Sequence, residues 1–173
     1  MKRAAGVAAA LAAALVFGCG YHVAGRADLL PKRIQTIAIP AFGNVTTRHR
    51  LTERLPAALT HEFISRTRYQ IVPDPKTADA VLEGAVVNYS AYPVIFDPAT
   101  GRASTVQITV VLQVTLRERA TGNVLFTQPG LEVRERYEIS VDQRAYLEES
   151  DVALDRASRE VARRVVSAIL EGF

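Results

Sequence analysis

The chain has 173 residues, 49% of them hydrophobic and 23% charged, with 21 basic and 18 acidic residues, one cysteine and no tryptophan. That apolar fraction excludes a long disordered chain, and a single cysteine excludes a disulfide scaffold. One cysteine and three histidines (His22, His49, His61) leave little for a tetrahedral metal site, so the composition is that of one globular domain.

Lys2 and Arg3 precede an almost entirely apolar stretch, residues 4–17, that ends at Gly18 and Cys19. An apolar run of about 15 residues is shorter than the roughly 20 a membrane-spanning helix needs. A basic start, a short apolar centre and a small residue before the cut read as a secretory signal. The lone cysteine directly after Val16-Phe17-Gly18 resembles a bacterial lipobox, whose cysteine becomes the lipidated first residue of the mature chain. Residues 1–18 are therefore expected to be a lipoprotein signal peptide and Cys19 the lipidation site. Removing the two basic residues of that signal leaves 19 basic residues against 18 acidic, a net charge of +1. The formal charge of +3 belonged largely to the signal, and non-specific nucleic-acid binding loses its support.

Residues 19–32 read as a lipidated tether ending in a turn at Pro31, and 33–173 as a single α/β sandwich domain. Residues 34–39 (IQTIAI) predict a first strand closed by Pro40, and Gly43-Asn44 supplies turn chemistry. Leu51, Leu55, Ala58, Leu59 and Phe63 follow helical spacing and predict a helix over about 50–66. Pro56 then requires a late start with Thr52 as the cap, or a kink. Residues 69–72 fit a short strand start or edge, and 80–92 a strand with Leu82, Gly84 and Val86 on one face, ended by Pro93 and the turn at 97–101.

The clearest period covers residues 105–119. Val106, Ile108, Val110, Leu112, Val114 and Leu116 hold the even positions, and Thr, Gln and Arg hold nearly all the odd ones. Residues 120–123 make a hairpin turn into a return strand that Pro129-Gly130 interrupts as a bulge or edge break before residues 131–139. A last amphipathic helix is expected over about 150–172, with Leu154, Ala157, Val161, Val165, Ala168 and Ile169 as its stripe and Glu148, Glu149 and Asp151 as an acidic start. The expected fold class is α+β: a two-layer sandwich with an about four-stranded mixed sheet, two helices on one face, in the order β-α-β-β-β-α. The uncovered sheet face is polar but rich in Thr and Gln, which fits a partner surface and fits a solvated antiparallel sheet equally well.

No nucleophile elbow, phosphate loop or dinucleotide motif occurs, and none of the histidines has a carboxylate or nucleophile at motif spacing. The sequence offers no catalytic constellation, and no cofactor or metal is expected. Arg117 and Arg119 share a face at the end of one strand, as do Arg134 and Arg136 on the next. If both pairs face the same way they form a positive strip for phosphate or carboxylate. The alternative is surface pairing with Glu118, Glu132 and Glu135.

Several segments together carry a resemblance: Cys19-Gly20-Tyr21-His22, then Ile37-Ala38-Ile39-Pro40-x-Phe42-x-Asn44-x-Thr46, then Ala78-Asp79-Ala80-Val81-Leu82-x-Gly84, and the terminal amphipathic helix. The mature chain resembles the LptE family of lipopolysaccharide-assembly lipoproteins. The resemblance implies a non-enzymatic outer-membrane lipoprotein, lipid-anchored on the periplasmic side, that plugs and helps assemble the LptD β-barrel and binds lipopolysaccharide (LPS). Arg117, Arg119, Arg134 and Arg136 are the candidate LPS contacts on this chain's own pattern. Similar strand patterns in envelope lipoproteins of the CsgG and LpoB kind leave a second reading, an auxiliary or regulatory periplasmic lipoprotein of another assembly.

Overall fold

In the computed structural model the alternating stretch lies at the centre of a sheet, and all six of its even-numbered aliphatic residues from Val106 to Leu116 are buried. The structure describes residues 30–46, 49–139 and 143–172. The expected signal peptide, Cys19, His22 and most of the tether lie outside the described residues. The elements are β1 (Thr36–Ala38), β2 (Gly43–Asn44), α1 (His49–Arg66), β3 (Gln70–Val72), β4 (Ala80–Phe96), β5 (Ala103–Glu118), β6 (Val124–Glu138) and α2 (Gln143–Glu171).

Strand order is β3-β1-β4-β5-β6, with β2 beside β4. The short strands pair in parallel and the three long ones antiparallel, giving the expected mixed sheet. It has six strands rather than about four. The two extra strands are two and three residues long, too brief to leave a period in the sequence. Gln70–Val72 is an edge strand, parallel to β1.

Both helices lie on one face of the sheet. α1 buries Leu51, Leu55, Leu59 and Phe63, and α2 buries Leu154, Ala157, Val161, Val165 and Ile169 in the same core. The helices run parallel, side by side. Arg50 meets Asp151, Arg54 meets Asp155 and Arg66 meets Ser167, each pair at the same sequence offset of 101.

Three local expectations are corrected. Thr52 does not cap α1: it is buried inside the helix, and its hydroxyl donates to the His49 carbonyl at 2.7 Å. α1 runs unbroken through Pro56. The last helix starts at Gln143, seven residues before the expected 150, so Asp151 lies two turns inside it. Asp151 instead accepts from Arg50 and Arg54 and pins the two helices together. Pro93 does not end β4, which continues to Phe96. There, among the described residues, β5 alone pairs with β4, and the register slips between Pro93 and Ile95, so the ladder is already interrupted beside the missing amide. Pro129 is accommodated in the same way on edge strand β6, where the register shifts by one residue between Leu112 and Val114.

Candidate interaction surface

The described strand residues that carried the family resemblance are structural. Asp79 Oδ2 accepts from the Gln35 amide, the Thr36 amide and the Thr36 hydroxyl, each at 2.9 Å, and these bonds hold its carboxyl below the usual aspartate range. Ala78, Ala80 and Leu82 are fully buried, and the Phe42 ring covers Gly84. Asn44 Oδ1 accepts from the Thr46 amide and hydroxyl at 2.8 and 2.7 Å. These segments lock β1, β2 and β4 together and expose no reactive group.

The sheet face away from the helices is different. In register, its rows run Tyr92, Gln107 and Arg136, then Ser90, Thr109 and Arg134, then Asn88, Val111 and Glu132, across β4, β5 and β6. The first row is wired directly: Gln107 Nε2 donates to Tyr92 Oη at 2.7 Å, and Arg136 Nε donates to Gln107 Oε1 at 3.1 Å. That network buries Gln107 to 7% exposure on a face open to solvent. In the second row Thr109 Oγ1 is buried without a hydrogen-bond partner. Nearer the other end, Thr115 and Thr127 hydroxyls meet at 3.2 Å across strands, beside a shallow cleft of about 200 Å³ between Glu83, Ala85, Gln113 and Thr115.

Arg134 and Arg136 lie on this face and so does Arg117, but at opposite ends. Arg134 sits opposite Thr109 and Arg136 opposite Gln107, eight and ten residues along β5 from Arg117. At about 3.3 Å per residue that is roughly 26–33 Å, so no single strip forms. Arg117 donates to the Gly122 carbonyl at 2.9 Å and lies 3.8 Å from Glu83. Arg119 is just past the strand and donates through Nε to the Ala78 carbonyl at 2.6 Å. Arg134 meets Glu132 at 2.6 Å, and Glu135 meets Arg156 of α2 at 3.4 Å.

Glu118 pairs with none of the four arginines. It continues the even, inward-facing parity of β5, is 3% exposed, and accepts from Nε and Nη2 of the Arg33 guanidinium and from the Thr121 hydroxyl. Those bonds push its pKa down to about 2. The parity that placed Leu116 in the core also placed Glu118 there. A buried carboxylate at that position requires a cation, and this was the signal available in the sequence. His49 starts α1, with its Nδ1 3.3 Å from Asn44 Nδ2, and His61 is exposed on the same helix. Among the described residues there is no cluster of three or more metal-binding side chains, and no helix long and apolar enough to cross a membrane.

The model of the family described as LptE, lipopolysaccharide-assembly, matches residues 34–169, the whole sheet and nearly all of both helices. The chain belongs to the LptE family. That makes it a lipopolysaccharide-assembly lipoprotein, of a family that is non-enzymatic. No curated protein sequence matches the chain. Among solved structures it is similar to a protein from Caulobacter crescentus classed as a lipoprotein, at 18% identity and a TM-score of 0.56, covering 80% of this chain and 88% of that one. It is similar to rare lipoprotein B from Shewanella oneidensis, at 14% identity and a TM-score of 0.51, covering 79% and 95%. A dodecameric PelC from Paraburkholderia phytofirmans shares the fold at 16% identity and a TM-score of 0.51, covering 80% and 89%.

Proposed function

We propose that the mature chain begins at a lipidated Cys19, sits in the outer membrane on its periplasmic side, and occupies the lumen of an LptD-like β-barrel during LPS delivery to the outer leaflet. The observation that carries this reading is the uncovered face of β4, β5 and β6. It is long and lined by Thr, Gln and Ser. Its exposed and half-buried polar side chains, Gln113 and Thr115 among them, offer donors and acceptors that a polar barrel wall or a bound saccharide can pair. Arg134 and Arg136, two residues apart on this face, are the pair suited to lipid phosphate. Arg117 and Arg119 are engaged by backbone carbonyls at the opposite end.

The test is site-specific crosslinking in cells. A photoreactive residue at Gln113 or Thr109 is expected to capture a large outer-membrane barrel. Capture of a periplasmic enzyme or an inner-membrane transporter instead favours the auxiliary-lipoprotein reading.

A further inference from the structure

The sheet end opposite the β4–β5 hairpin holds a second feature, independent of the polar face. A cleft of about 370 Å³ opens where the chain enters the domain, with Leu30, Ile34 and Tyr69 as its apolar floor and Lys32, Arg68 and Gln70 on its rim. The three floor residues are buried, and the three rim residues are exposed. The Leu30 amide donates to Tyr69 Oη at 3.2 Å, and Arg33 is clasped by Glu118, so the tether root is fixed against the cleft. The volume falls in the range of small-ligand sites, and an apolar floor beneath a cationic, amide-bearing rim matches a phosphodiester joined to a glycerol backbone.

We propose that this cleft binds the headgroup of an anionic phospholipid of the leaflet that holds the lipid anchor. The inference rests on the anchor at Cys19. From Cys19 to Leu30 is eleven residues, a reach of at most about 36–40 Å. The hairpin end of the sheet is sixteen residues further along β4, about 53 Å from Ala80. The cleft is thus the part of the domain that the tether keeps beside the membrane. Tethering at that range presents headgroups at an effective concentration in the millimolar range, so a weak site is filled. Each cation near an anionic leaflet strengthens association by about fivefold, so reversing Lys32 and Arg68 together removes at least about 25-fold. The bound phosphate orients the sheet, with its polar face rising from the anchored end.

The experiment is hydrogen exchange on the full-length processed protein in vesicles of phosphatidylcholine alone or mixed 3:1 with phosphatidylglycerol, with the intact mass reporting acylation. Peptides spanning 30–35 and 68–72 are expected to exchange at least fivefold more slowly with phosphatidylglycerol, and peptides of β5 to be unchanged. Lys32→Glu/Arg68→Glu, at two exposed positions, abolishes that slowing. Acylated protein with equal exchange in both vesicles overturns the cleft and leaves the anchor standing. Unacylated protein overturns the anchor and the inference with it. Equal slowing by free glycerol phosphate, or by LPS in phosphatidylcholine vesicles, also overturns the assignment to a leaflet phospholipid.

Discussion

The Phe42 ring lies so close over Gly84 that a β-carbon on residue 84 would stand 2.2 Å from Phe42 Cε1. This contact joins the two sequence segments that mark the family, the I-P-x-F stretch and the A-D-A-x-L-x-G stretch, and it does so inside the fold rather than at a binding surface. Gly84→Ala is expected to lower stability by about 2 kcal/mol, because the buried Phe42 ring must shift to clear the added methyl. Thermal unfolding checks this, with an expected drop of about 4–8 °C. Phe42→Ala, which leaves a cavity instead, is expected to cost about 3–5 kcal/mol. The double variant is expected to be less destabilised than the sum, since the clash and its cause vanish together.

The Arg33–Glu118 clasp makes stability pH-dependent. Glu118 has a folded pKa of about 2 against 4.5 unperturbed. A carboxyl depressed on folding adds stability above its unfolded pKa and loses it as pH falls through the folded one. The protein is therefore expected to weaken between pH 4.5 and about 2, with Asp79 acting in the same direction through its bonds to Gln35 and Thr36. Urea titrations at pH 6, 4 and 2.5 should show Glu118→Gln less stable than the parent at pH 6, with the gap closing at pH 2.5. A gap that stays constant across this range would contradict the clasp.

The four arginines should separate by position. Arg134→Gln is expected to weaken LPS binding by at least fivefold with thermal stability nearly unchanged, because that side chain is largely exposed and its pair with Glu132 is a surface one. Arg119→Ala should do the reverse, lowering stability through the lost bond to the Ala78 carbonyl while leaving LPS binding intact. Paired LPS-binding and melting measurements check both.

The long edge strand β6 is guarded by its own helix. Arg164 and Arg156, two turns apart on α2, donate to the carbonyls of Glu132 at 3.2 Å and Arg136 at 3.4 Å. Unpaired edges recruit further strands, and here two edge carbonyls of β6 are already occupied. Arg156→Ala/Arg164→Ala is expected to introduce self-association visible by sedimentation velocity. A strictly unchanged sedimentation profile would show that Pro129 and the surrounding charges suffice.

Some of this architecture was legible in the sequence for identifiable reasons. A strict two-residue period from Val106 to Leu116 has one physical solution, a sheet with one face in a core, and α1 and α2 follow from 3.6-residue stripes. The start of α2 was hidden because residues 143–150 lack the apolar stripe that follows, so the acidic cluster mimicked a helix beginning. Thr52 was misread because a threonine before a proline fits a cap, whereas here its hydroxyl returns to the His49 carbonyl. The separation of Arg117 from Arg134 and Arg136 depends on strand register, which residue spacing within each strand does not specify. The row Tyr92, Gln107, Arg136 draws on three strands and leaves no local signature.

The most direct measurement is affinity purification of the full-length protein from detergent-solubilised envelopes, with co-purifying proteins identified by mass spectrometry. A stoichiometric, heat-modifiable large β-barrel is the expected partner. Recovery of the protein alone, or with a periplasmic enzyme or inner-membrane transporter, would contradict the plug and favour an auxiliary lipoprotein.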